Sequence, residues 1–266
     1  MQKYAMAVSY IGTNFFGWQV QKNKKTIEGE LVKALSKVAN QAIQLTCAGR
    51  TDAGVHALMQ VVHFVTDSQR SLDNWQRGVN SYLPNEISVV WVREVVCDFN
   101  ARFSAISRKY VYVIDNNIEP CLLLQEKSLS YKKSLDVNLM LEASKVLIGE
   151  HDFSAFRASK CQSNTPIREI FSIDIEKRNG LVFVAIEANA FLYHMVRNIM
   201  GVLLLVGASK KPVDWVGDVL LSKNRSFADK TIFAGGLYLY QVNYPKKYNL
   251  PAFGKKFVSI GDLHVC

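Results

Sequence analysis

Residues 171–188 constrain the fold more than any other stretch of this 266-residue chain. Phe171, Ile173 and Ile175 alternate with Ser172, Asp174 and Glu176, Asn179-Gly180 follows, and residues 181–188 return as a second strand-like run. A period of two sends successive side chains to opposite faces, and Asn-Gly accepts the positive φ angles of a two-residue hairpin turn. The stretch reads as an antiparallel pair, so the sheet that contains it must be at least partly antiparallel.

Strands and helices are interspersed around this hairpin. Residues 4–10 alternate like a strand, and Thr26 can cap a helix that carries Ile27, Leu31, Ala34, Leu35 and Val38 on one face. Strands are expected over 43–47, 60–65 and 87–96, with a helix over 72–82 that Leu83-Pro84-Asn85 stops. The segment 99–105 reads as a crossover. Beyond it come a strand over 109–114, a helix over 137–148 with Asp136 as its cap, and the hairpin. A long helix over 193–206, a short one over 213–221 and a last strand over 236–244 complete the order. The expected class is α+β with a mainly antiparallel sheet. The similar order suggests two α+β halves, 1–103 and 104–245, followed by a tail, 246–266, that lacks a clear pattern.

The longest apolar run, 199–208, is too short to cross a bilayer, and the N-terminus lacks a signal-peptide core. A cytoplasmic protein is expected. Five histidines and five cysteines show neither H-E-x-x-H nor C-x-x-C spacing, so no metal is expected. The net charge of +9 points to a polyanionic partner, with nucleic acid the first candidate. Clustering strengthens this reading: Lys22-Asn-Lys-Lys25 follows an aromatic loop, and Arg108-Lys109 adjoins Tyr110 and Tyr112. Aromatic rings among basic side chains suit stacking on bases and pairing with phosphates.

The chemistry concentrates in Gly49-Arg50-Thr51-Asp52-Ala53-Gly54-Val55-His56-Ala57. Two glycines five apart allow positive φ and close backbone approach, so Asp52 is expected at a sharp bend with its carboxylate presented outward. The flanking strands make a rigid frame for it. Farther along, His194, Arg197, Asn198 and Gly201 fall at spacings of three and four and share one side of an apolar helix. A buried arginine needs a partner, and Asp52 is the partner expected for Arg197, which would keep the carboxylate ionised. Tyr110 shares a strand face with Tyr112 and Arg108; it is either a core residue or a ring that meets a nucleobase. A metal site on Asp52 and His56 lacks further ligands, and a two-carboxylate glycosidase would need a second acid near Asp52.

Taken together, these residues resemble the tRNA pseudouridine synthase A family. The nine-residue string is similar to its active-site signature. Similarity extends to the blocks Tyr10-Ile-Gly-Thr-Asn-Phe-Phe-Gly-Trp-Gln19, 99–110, 149–157 and 191–201, in the family's order over about residues 4–244. The resemblance implies that Asp52 is the nucleophile of uridine isomerisation, that Arg50 helps displace the base, that Tyr110 stacks on the target uracil and that Arg197 pairs with Asp52. It implies two α+β halves forming a continuous, mostly antiparallel sheet with helices on one side and a basic cleft. It further implies a homodimer acting without cofactor on the anticodon stem-loop of tRNA, at tRNA positions 38, 39 and 40. The alternative is a non-catalytic RNA-binding protein of the same fold.

Overall fold

The computed structural model describes residues 1–251, which form two compact units. The first unit comprises Met1–Ser107 and, among the described residues, 238–251. Its elements are β1 (Gln2–Tyr10), α1 (Ile27–Ala39), β2 (Thr46–Cys47), β3 (His56–Thr66), α2 (Leu72–Tyr82) and β4 (Ile87–Glu94). Strand β1 lies between β3 and β4, antiparallel to both, and β2 pairs antiparallel with β3. Thr26 caps α1 as expected, its hydroxyl accepting the Gly29 N–H at 3.3 Å. Helix α2 occupies the expected span and packs Trp75 and Val79 against the sheet side; Trp75 meets Tyr4 and Phe64 at ring separations of 5.6 and 5.3 Å.

The strand expected over 43–47 is only Thr46–Cys47. The Ile43 N–H is already taken by Ser36 Oγ at 3.1 Å, which holds that end in the turn after α1 rather than in the ladder.

The second unit, Arg108–Leu237, holds most of β5 (Ser107–Asp115) and the elements that follow it. These are β6 (Leu129–Ser130), α3 (Val137–Ser144), β7 (Gly149–Asp152), β8 (Ile167–Arg178), β9 (Leu181–Ala188), α4 (Met195–Gly207) and α5 (Trp215–Ser222). The order β5-β9-β8-β7 is antiparallel throughout, with β6 added parallel to β5. The hairpin forms as expected. Arg178 pairs with Leu181, and Asn179 and Gly180 take φ of 48° and 75°, the double positive φ of a type I′ turn. Its alternation fails at Phe171, which is exposed because the register shifts between Ile170 and Ser172. Asp136 caps α3, which ends at Ser144 and tightens into a 3₁₀ turn rather than running on to 148. Helix α4 begins at Met195, since His194 adopts left-handed φ of 62°.

The final strand, β10 (Leu237–Asn243), belongs almost wholly to the first unit. It pairs parallel with β3 through Tyr238 with His56 and Leu239 with Ala57. The fold is α+β with mostly antiparallel pairing. Most of the tail expected over 246–266 lies outside the described residues. Among the described residues no helix is long and apolar enough to cross a membrane.

His63, at the centre of β3, is held without charge. Its Nδ1 accepts the Ala101 N–H at 3.1 Å, and its ring meets Phe99 edge-on. Burial, and then the nearby Lys3 charge, lowers its pKa from 6.5 to about 4. The unfolded chain takes up this proton below pH 6.5 while the folded chain refuses it until about pH 4. This contribution to stability is therefore present above pH 6.5 and is lost as pH falls toward about 4. In His63→Gln, whose amide oxygen can still accept from Ala101, melting temperature should depend less steeply on pH across that window. Identical slopes in wild type and variant would refute this role.

Candidate active site

The loop 49–55 is closed by local hydrogen bonds and then clamped from outside. Val55 N–H donates to the Asp52 carbonyl at 3.1 Å, and Gly54 takes φ of 78°, as the third residue of a type II turn requires. Only one of the two glycines expected to adopt positive φ does so. Gly49 has ordinary φ, and its carbonyl accepts Gln60 Nε2 at 2.6 Å. Asp52 is half-buried and Arg50 exposed, while Thr51 between them is buried.

The outer clamp is the end of β1 and the loop that follows it, where the sequence had marked a basic cluster, a helix cap and a family block but no contact to the turn. Trp18 N–H donates to the Thr51 carbonyl at 3.0 Å, Tyr10 Oη and Thr51 Oγ1 share a buried hydrogen bond of 2.8 Å, and Gly12 N–H donates to His56 Nδ1 at 3.0 Å. Gly17, at φ of 81°, lies against the turn so closely that a Cβ there would stand 2.8 Å from the Thr51 carbonyl oxygen and 3.0 Å from both Ala53 N and the Asp52 carbonyl carbon. The loop is itself anchored. The carbonyls of Gly17 and Trp18 accept the N–H groups of Ile27 and Glu28 at 3.1 and 3.0 Å. These are first-turn donors of α1 that have no partner within the helix. The chain of cause runs from the Thr26 cap through the helix terminus to the turn that carries Asp52.

The same loop presents basic and aromatic side chains together. Lys24 Nζ stands 4.1 Å from the centroid of the half-exposed Phe16 ring, and Lys25 Nζ stands 4.6 Å from that of Phe15. Cys47, just ahead of the turn, is no rival nucleophile: burial, with help from Glu28, pushes its thiol up to about 12. Among the described residues no group of three or more His, Cys, Asp or Glu side chains is placed to hold a metal ion.

Tyr110 and Arg197 lie in the second unit, whereas Arg50 and Asp52 lie in the first. Tyr110 is buried on β5, edge-on to Phe191 at 5.0 Å. Of the face read in α4, Arg197, Asn198 and Gly201 share one side and face the segment 230–233, whereas His194 precedes the helix in left-handed conformation and is not part of it. Arg197 Nε donates to the Ile232 carbonyl at 2.8 Å, and Asn198 Oδ1 accepts from Thr231 Oγ1 at 2.6 Å and Arg225 Nη2 at 3.1 Å. A Cβ on Gly201 would come within 2.7 Å of the Lys230 carbonyl. Tyr112 Oη donates to the next carbonyl, that of Phe233, at 2.7 Å. Burial raises the Tyr112 pKa, and the Arg197 charge pulls it back. Two successive carbonyls thus tie Arg197 to the strand that carries Tyr110. Arg225 and Thr231 carried no pattern that could have marked them; only the polar stripe on α4 signalled that a partner was needed.

A family model described as tRNA pseudouridine synthase matches residues 6–104 and 143–245, which include Arg50, Asp52 and Arg197; Tyr110 falls between the matched segments. A tRNA pseudouridine synthase A of Aeromonas hydrophila is 48% identical over 250 residues, spanning 94% of this chain and 93% of its own. That of Idiomarina loihiensis is 48% identical, spanning 94% and 95% of the two chains, and that of Coxiella burnetii 47% identical, spanning 94% and 96%. With more than half of its length matched by the model and near-complete coverage in both directions, the chain belongs to the tRNA pseudouridine synthase family.

Proposed function

We propose that this chain isomerises uridine to pseudouridine in the anticodon stem-loop of tRNA, at tRNA positions 38, 39 and 40, with Asp52 as its single nucleophile. The observation that carries the reading is the Asp52 turn: a half-buried residue on a backbone held by β1, by the loop between β1 and α1, and by β3, within a chain of this family. The reaction breaks the N1–C1′ bond of uridine, turns the uracil and joins C1′ to C5. The C5 proton is lost and N1 gains one, so the redox state does not change. One ionised carboxylate suffices.

The target base must leave its stack before the carboxylate can reach it. Arg50, exposed two residues before Asp52, serves as the wedge that displaces the base, and Tyr110 is the ring against which the uracil stacks. Arg197 is the counter-charge that keeps Asp52 ionised. Lysines 24 and 25, seated on phenylalanine rings, supply the phosphate and stacking contacts that RNA requires. The active form is a cytoplasmic homodimer.

The test is to incubate purified chain with a tRNA transcript in the presence of a strong chelator and map pseudouridine along it. Conversion at positions 38, 39 and 40 is expected. Tight tRNA binding without any conversion would replace this reading with that of a non-catalytic RNA-binding protein.

A further inference from the structure

We infer that Thr51 is a positioning residue for the reaction, held by the loop between β1 and α1; the inference rests on the reading of Asp52 as nucleophile. Thr51 precedes Asp52 and is buried, so it does not itself meet substrate. It is restrained at both of its polar ends. Its carbonyl accepts the Trp18 N–H at 3.0 Å, and its hydroxyl is bonded to Tyr10 Oη at 2.8 Å. The two restraining residues support each other, with the Tyr10 and Trp18 rings 6.1 Å apart and both side chains almost wholly buried. On the far side of Asp52 the Val55 N–H closes the turn on the Asp52 carbonyl at 3.1 Å. The backbone on each side of the nucleophile is therefore set.

This arrangement divides the work of the turn. Asp52 supplies the carboxylate, whereas the Thr51 hydroxyl and Tyr10 decide where that carboxylate points. A reacting group displaced by a fraction of an ångström loses rate while substrate affinity stays, because the contacts that bind RNA lie elsewhere. A purely structural hydroxyl would behave differently, since its loss would lower stability and leave turnover of the folded enzyme intact.

Thr51→Val keeps the branched shape and removes the hydroxyl; Thr51→Ser keeps the hydroxyl; Tyr10→Phe removes the bond from the other side. Turnover of a tRNA substrate under saturating conditions should fall about tenfold in Thr51→Val and in Tyr10→Phe, with KM within about twofold. Thr51→Ser should restore most of the loss. Asp52→Asn is measured alongside. If Asp52→Asn is inactive while Thr51→Val turns over like wild type, the positioning role is wrong and the nucleophile stands. Thr51→Val that merely melts earlier, or loses KM rather than turnover, also overturns it. If Asp52→Asn is itself active, it is the reading of the nucleophile that fails.

Discussion

Asp52→Asn is expected to lower pseudouridine formation on an anticodon stem-loop by at least about ten-thousand-fold. The amide has the shape of the carboxylate but neither its charge nor its nucleophilicity, so the loss falls on the chemical step. Asp52 is half-buried, and its own backbone carbonyl rather than its side chain makes the bond that closes the turn, so the variant should fold normally. Affinity for tRNA should stay within about twofold, because phosphate pairing by Lys and Arg dominates such binding. Removing one negative charge from a chain of net charge +9 works against no phosphate contact. The measurement is single-turnover conversion together with a filter-binding titration at one salt concentration. Conversion by Asp52→Asn at a rate near wild type would remove the carboxylate from the mechanism.

The next largest effect is expected at Gly17. Alanine there is strained by a φ of 81°, a cost of roughly 1–2 kcal/mol, and its Cβ would press on three backbone atoms of residues 51–53 at 2.8 to 3.0 Å. Neither backbone can swing aside as a side-chain tip does, so the crowding adds roughly 1–3 kcal/mol or displaces the turn. Displacement reaches Asp52 directly, and turnover should fall roughly a hundredfold while the melting temperature drops by several degrees. Gly49→Ala is the control. It lies in the nine-residue signature itself, yet its Cβ would meet nothing within 4 Å and its φ is ordinary, so activity should stay within about twofold of wild type. Equal activity in the two alanine variants would show that the loop does not hold the turn.

The contrast between these glycines marks what the amino-acid sequence reveals by itself. Signals confined to a few neighbours were legible. Thr26 capped its helix, Asn179-Gly180 made its turn, and residues 72–82 formed their helix, because each depends on contacts made within about four residues. The nine-residue signature likewise identified the turn at Asp52. The roles of its two glycines were not separable, since only Gly54 stands at the positive-φ corner of the turn, whereas the Gly49 carbonyl is held by Gln60, eleven positions away. For the same reason the polar stripe of α4 was visible, while its partner segment 230–233, and with it Arg225, was not. The short strands β6 and β7 have too few residues to show a period. Parallel pairing of β10 with β3 leaves no local trace, because the two strands are separated by most of the chain.

That last pairing also bears on how the protein is made. Strand β3 leaves the Asp52 turn with His56, whose ring is stacked at 4.7 Å on that of Tyr238 in the last strand. On a translating ribosome, on the order of ten to forty seconds of synthesis separate these two residues. During that interval the start of β3 waits as an open edge, with backbone groups ready to pair with whatever strand arrives. The nascent chain therefore carries the Asp52 turn early and completes the support beneath it late, so a product truncated before residue 238 is expected to be an inactive chain with an adhesive edge.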